Sequence, residues 1–245
     1  MTRTYRDEAI VLRTHKLGEA DRIITLLTAD HGLVRAVARG VRRTSSKFGS
    51  RVEPFGVVDV QLAKGRTLDT ITQVEIISAH GDALAADFGL YARASVMAET
   101  AEKLTQDSEE GARSQYLLLV GALFALANVR HDPSLVLTSY ILRALAIAGW
   151  APSFFDCAVC GASGPHSAFS IHEGGAVCEN CRPAGAAAPA PETMSLMGEL
   201  LSGDWARADR SEDFARLEAH GLVSSYAQWH VERRIRSLRV LERSR

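Results

Sequence analysis

The stretch EAIVLRTHKLGEADRIITLLTADHGLVRAVAR, residues Glu8 to Arg39, decides how the fold begins. Three runs within it, "EAIVLRT", "DRIITLLT" and "GLVRAVAR", are rich in Val, Ile, Leu and Thr, and the turn formers "LGEA" and "ADHG" part them. Short apolar runs with this composition and punctuation predict strands. Two more follow, "FGVVDVQLA" and "TITQVEIISA", divided by "AKGRT". In "VVDVQLA" apolar and polar positions partly alternate, as a half-buried strand requires. Five strands in the first eighty residues predict a small barrel, with a sandwich fragment as the alternative.

After His80 the period changes. Leu90, Ala94, Met97, Ala101 and Leu104 recur at helical spacing, and "SQYLLLVGALFALANV" and "LVLTSYILRALAIAGW" have helical compositions. Gly149 and Pro152 punctuate the end of the second. A compact cysteine segment comes next, then "RPAGAAAPAPET", a connector too rich in Ala, Pro and Gly for a long helix. The tail, "SEDFARLEAHG" and "LVSSYAQWHVERRIRSLRVLERSR", predicts two helices parted near Gly221. Strands first and helices after predict an α+β chain of two domains, residues 1–80 and 81–245, with a metal module at about 154–183 and the connector at about 182–193.

Of the 245 residues 47% are hydrophobic and 23% charged, enough to bury a sizeable core. A formal net charge of -1 gives no whole-molecule attraction to nucleic acid, so any such attraction must be local. The segment "MTRTYRDEAIVLRT" has no apolar signal core, and the longest apolar run, "YLLLVGALFALANV", is too short to span a bilayer. Four cysteines without a secretion signal argue against a disulfide framework and for a cytoplasmic location with no membrane contact.

All four cysteines fall in "CAVCGASGPHSAFSIHEGGAVCENC": Cys157 and Cys160 form one C-x2-C, seventeen residues pass, and Cys178 and Cys181 form another. Two residues between thiolates let both sulfurs of a knuckle face one ion, and two knuckles complete a tetrahedron. This predicts one structural zinc, with reduced free thiols or redox use as the alternative; Gly161 is suited to turn the first knuckle, and Gly174 with Gly175 the spacer's hairpin. Four thiolates leave no open coordination position, so His166 and His172 are read as hairpin residues and not as ligands.

No catalytic motif competes. The chain has no G-x-x-x-x-G-K-[ST], no G-x-G-x-x-G and no H-E-x-x-H, and "GASGP" puts Pro165 where a nucleophile elbow needs glycine. His80 with Asp82, and Glu109 with Glu110, lie in polar connectors and are read as solvated loop.

Between His31 and Val52 stand six cations, Arg35, Arg39, Arg42, Arg43, Lys47 and Arg51, and no carboxylate. If Arg35 and Arg39 end a strand and the rest line its exit, the six converge on one rim of the barrel. Small barrels track a nucleic-acid backbone there. The competing reading is a solvated loop, and charge alone leaves the two open.

The blocks "GEADRI" and "ARGVRR…FGSRVEPF" resemble the RecO family of bacterial recombination mediators. The likeness continues through "ILRALAIAGWAPSFFDCAVCG", "FSIHEGGAVCENC" and "WHVERRIRSLRVL", nearly the whole chain. The resemblance implies an OB-fold barrel joined to a helical domain with an inserted four-cysteine zinc module. It implies a non-enzymatic, cytoplasmic, nucleoid-associated protein of DNA repair. Such a protein binds single- and double-stranded DNA, anneals complementary strands and, with RecR, loads RecA onto DNA coated by single-strand-binding protein. The rival is a zinc-ribbon adaptor in transcription or RNA metabolism.

By that resemblance Arg35, Arg39, Arg42, Arg43, Lys47 and Arg51 become phosphate contacts. Arg13, Lys16 and Arg22 stand behind them, because Glu19 and Asp21 are near enough in sequence to pair with them instead. Only Tyr5, Phe48 and Phe55 are available for base stacking, so phosphate neutralisation should dominate affinity. Arg143, in the apolar helix "ILRALAIAG", is either a cation that snorkels to the surface or pairs with a carboxylate, or an anchor for the acidic tail of single-strand-binding protein. Arg233, Arg234, Arg236 and Arg239 read as the solvated face of a terminal helix whose buried stripe is Ile235, Leu238 and Leu241.

Overall fold

Each of the five apolar runs forms a strand in the computed structural model, which describes residues 3–43, 49–106 and 111–231. β1 (Thr4–Leu17), β2 (Asp21–Thr28), β3 (Leu33–Ala38), β4 (Val57–Ala63) and β5 (Asp69–Ser78) close into a barrel in the order β1-β2-β3-β5-β4. β1 is longer than its apolar run because it serves two partners. Its first half pairs with β4, Thr4 opposite Ala63, and its second half with β2, Leu17 opposite Asp21. The register shifts between Val11 and Arg13, a bulge that helps one strand turn from one neighbour to the other. Closure rests on a short parallel pairing of β3 with β5, Ala36 opposite Asp69 and Val37 opposite Thr70. This is an OB-fold barrel.

Ala9, Val11, Ile24, Leu26, Ala36, Val58, Val60 and Leu62 fill the barrel. Their neighbours Ile10, Leu12 and Leu27 point the other way and are buried against the helices. Thus β1 and β2 are apolar on both faces, which is why their sequences run apolar without clean alternation. A polar rim surrounds this junction: Arg13 pairs with Glu102, Arg113 with Asp30, and the Tyr116 hydroxyl donates to Glu8 at 3.2 Å. Burial and the Glu8 charge push the Tyr116 pKa well above that of a free phenol, so it remains the donor.

Seven helices follow among the described residues: α1 (Gly81–Ala85), α2 (Phe88–Thr105), α3 (Ala112–Ala127), α4 (Pro133–Ile147), α5 (Pro191–Ser202), α6 (Trp205–Ala208) and α7 (Asp213–His230). α4 is the axis, packed by α2, α3, α5 and α7, and it is buried nearly all round. Asp132 starts it by accepting from the Ser134 amide at 2.8 Å, and Pro133 presets the first turn. None of these helices is long and apolar enough to cross a membrane.

Three expectations change. The tail is not parted at Gly221: α7 runs through it from Asp213 to His230. Glycine costs about 1 kcal/mol in a helix interior, but Ala219, Val223, Tyr226 and Ala227 on the same helix bury into the bundle and outweigh it. The connector ends sooner than expected, because Pro191, Glu192 and Thr193 form the first turn of α5, with proline at its start. His80 is not solvated: it is buried at the foot of α1, 3.0 Å from Ser78 Oγ and edge-on to Phe124.

Candidate metal centre and nucleic-acid interface

The cysteine segment folds around a hairpin of β6 (Ala168–Ser170) and β7 (Gly175–Val177). Gly175 is required where it stands. Its φ is +149°, and a Cβ there would meet the Ser153 carbonyl oxygen at 2.3 Å. Gly161, at φ +71°, turns the first knuckle so that its amide donates to the Cys157 carbonyl at 2.8 Å. Successive hairpin residues face opposite ways. Ala168 and Val177 pack under the thiols, while Phe169 and Ala176 join the helical core with Phe154 and Tyr226.

The Sγ atoms of Cys157, Cys160, Cys178 and Cys181 all lie within 4.8 Å of one another, and no disulfide joins them. Cys160 Sγ and Cys178 Sγ are 3.8 Å apart. A tetrahedron with metal–sulfur bonds of 2.3 Å has an edge of about 3.8 Å. The donors therefore fit one tetrahedral thiophilic ion. Backbone amides of Cys160 and Cys178 pointed at the Cys157 sulfur draw its pKa down to about 6. Hydrogen bonding to Cys178 and Cys160 pushes Cys181 up to about 12. So four adjacent thiols cannot all ionise without a cation among them. His166 rests 2.8 Å from the Ala162 carbonyl and His172 lies edge-on to Trp229, so neither joins the cluster.

The basic run does not converge on one rim. Arg39, Arg42 and Arg43 gather where β3 ends, beside the β1–β2 turn, with Lys16 near the end of β1. There the Gly40 amide donates to Asp21 at 2.7 Å, and the Arg42 guanidinium donates to the Glu19 carbonyl at 2.9 Å. Arg51 leans on β5, donating to the Val74 carbonyl at 3.2 Å. Arg22 pairs with Glu53 at 2.8 Å and Arg13 with Glu102, neither with the carboxylates near them in sequence. Lys47, Phe48 and residues 232–245, with the arginines of the tail, lie outside the described residues.

Arg35 sits in the first half of β3, away from that exit, in an open groove of about 360 Å³ with Arg3, Lys64 and Arg66. The backbone brings these together, for the Lys64 amide donates to the Arg3 carbonyl at 2.9 Å. None of the four cations is ion-paired among the described residues, and all four are exposed. The groove's Asp69 is engaged by the Tyr5 hydroxyl at 2.5 Å and by the Gly65 amide at 2.9 Å. Sequence reading missed Arg3, Lys64 and Arg66. "AKGRT" carries two cations in five residues, but only strand pairing aligns it with Arg35. Phe55 is buried against Tyr91 and Tyr5 is half-buried against His31, so neither is open to a base.

Arg143 borders a second groove, of about 260 Å³, between α3, α4 and α6. Leu117, Leu118, Ala122 and Val136 give it an apolar floor, and His131 stacked on Trp205 at 4.0 Å closes one side. The guanidinium is exposed and meets no carboxylate among the described residues.

Comparison with known proteins agrees with this architecture. The family model described as Recombination protein O N terminal matches residues 1–80, and Recombination protein O C terminal matches residues 85–239. The chain is 54% identical over 240 residues to a DNA repair protein RecO of Thermobifida fusca, covering 98% of this chain and 99% of that one. It is 54% identical over 242 residues to a DNA repair protein RecO of Nocardioides sp., with the same two coverages.

Proposed function

The chain belongs to the Recombination protein O family, and from that premise we propose that it is a DNA-repair and recombination mediator with no catalytic centre of its own. It binds single- and double-stranded DNA through the barrel, anneals complementary strands and, with RecR, helps RecA onto strands coated by single-strand-binding protein. The observation that carries this reading is a closed barrel with exposed arginines at Arg35, Arg39 and Arg43, unpaired among the described residues. Arg42, Arg51 and Lys16 add further cations to the barrel, and Lys47 falls within the same stretch of sequence. Arg13 and Arg22 contribute less, since each already has a carboxylate partner. Because no aromatic of the described barrel is open to stack, binding is dominated by phosphate neutralisation, weak in sequence preference and steep in salt.

Annealing follows from the same charge. A cationic surface that screens two strands at once lowers their repulsion, and base pairing supplies the driving force. In the helical domain one zinc ion held by Cys157, Cys160, Cys178 and Cys181 is a structural staple. Arg143 and its apolar groove suit the acidic, hydrophobic-ended tail of single-strand-binding protein: cation for carboxylate, apolar floor for the end. Nothing among the described residues of the barrel favours the transcription- or RNA-adaptor alternative.

One assay tests the reading. Complementary oligonucleotides coated with single-strand-binding protein should anneal faster when the protein is added, with both strands intact on a denaturing gel. No acceleration, or strand cleavage, rejects it.

A further inference from the structure

The cations of the barrel divide into two groups, and an uncharged band lies between them. Within β3, Arg35 and Val37 face outward, and Arg39 follows in the turn just past the strand. Val37 pairs with Ile23 on one side and Thr70 on the other, so a neutral rung, Ile23–Val37–Thr70, crosses the barrel. On one side of the rung stand Arg3, Arg35, Lys64 and Arg66, in the groove where the β4–β5 turn meets the start of β1. On the other stand Arg39, Arg42 and Arg43, at the exit of β3. Four residues of strand separate Arg35 from Arg39, about 13 Å at the usual rise. The Debye length at physiological ionic strength is about 8 Å. Charges in one group are therefore largely screened from those in the other.

We propose that the groove of Arg3, Arg35, Lys64 and Arg66 is a second strand-binding site, and that one barrel holds two DNA strands side by side, one on each side of the Ile23–Val37–Thr70 rung. The inference rests on the DNA-binding function above and adds the groove, its residues and its separate occupancy. The ligand is the sugar-phosphate backbone of a single strand, because the groove offers four exposed cations while its two rings, Tyr5 and His31, lie against each other 4.5 Å apart. Its one carboxylate, Asp69, is held by Tyr5 and Gly65. Burial and Asp69 push the Tyr5 pKa well above that of a free phenol, so the hydroxyl stays a donor to that carboxylate. Two strands held across a neutral rung are close enough to pair and each is neutralised separately. That arrangement suits annealing better than a single track would.

The test uses two oligo-dT strands, one with a donor dye and one with an acceptor, which cannot pair with each other. The full-length protein should bring them together and give energy transfer. Lys64→Ala/Arg66→Ala should bind a single labelled strand within about threefold of the unaltered protein, since the Arg39 group remains. The same variant should lose the energy transfer and anneal complementary strands about tenfold more slowly. Lys64→Gln/Arg66→Gln, which keeps the side-chain length, should behave alike, with an unchanged melting temperature for both. Energy transfer that survives in both variants overturns the second site. So does a parallel collapse of single-strand binding and energy transfer, because one continuous track predicts that. If the unaltered protein binds no DNA, the functional reading fails instead.

Discussion

Arg13 of β1 and Glu102 of α2 form an ion pair across the seam between barrel and bundle. The pairing takes Arg13 out of the DNA surface that sequence suggests and gives it to the junction between the domains. Its side chain is 49% exposed, so solvent screens the pair, which is worth about 0–1 kcal/mol. Arg13→Ala should lower the melting temperature slightly and leave DNA affinity within about twofold. A fluorescence-anisotropy titration beside a thermal melt checks both; a large loss of affinity would return Arg13 to the DNA surface.

Arg39 and Arg43, exposed and unpaired among the described residues, should behave differently. For a single strand, each phosphate contact adds about 0.7 to the slope of log affinity against log salt. Arg39→Ala/Arg43→Ala should weaken binding and reduce that slope by about 1.4 if both touch phosphate. Arg22→Ala, already tied to Glu53, should reduce it less. An unaltered slope in the double variant would remove the β3 exit from the interface.

Metal analysis should find about one zinc per chain. A chelator should then unfold the module and loosen the bundle, because Phe169 and Ala176 carry the hairpin into the helical core. Phe169→Ala should cost about 3–5 kcal/mol and also speed loss of metal to a colorimetric chelator. A destabilised variant that kept its metal as firmly as before would separate the two roles.

At Arg143 the measurement is binding of a synthetic peptide with the acidic tail sequence of single-strand-binding protein. A charged hydrogen-bond partner is worth about 1.5–3 kcal/mol, so Arg143→Ala should weaken the peptide about tenfold or more. DNA affinity should not change. Equal peptide affinity would leave Arg143 as a snorkelling cation.

Burial at the foot of α1 holds His80 below the ordinary imidazole pKa. Below about pH 6.5 the unfolded chain therefore takes up a proton that the folded chain resists, and stability falls as pH falls. The contribution reaches at most about 1.4 kcal/mol per pH unit while the two states differ by one proton. Urea midpoints at pH 7.5 and 5.5 should differ less in His80→Gln than in the unaltered protein. An equal difference would acquit His80.

Much of this was legible in the residues. "DRIITLLT" gives β2 with both its ends, and the C-x2-C pairs name all four ligand positions, because both signals are local. What escaped was non-local. Gly221 reads as a breaker, yet packing of Tyr226 and Val223 carries α7 through it. Lys64 and Arg66 stand about thirty residues from Arg35, and only the β3–β5 pairing makes them neighbours. Arg13 and Glu102 are further apart still, and no spacing rule links them.

That pairing of β3 with β5 has a consequence for motion. The other neighbouring strands of the barrel share long ladders, whereas this join consists of two rungs, Ala36 with Asp69 and Val37 with Thr70. A ladder so short is the natural place for the cylinder to breathe, and amides there should exchange with solvent sooner than those of β1 and β2. A polyanion lying across Arg35 and Lys64 grips both lips of that opening. Occupancy would then slow exchange at the join, making the barrel a clasp that its cargo fastens.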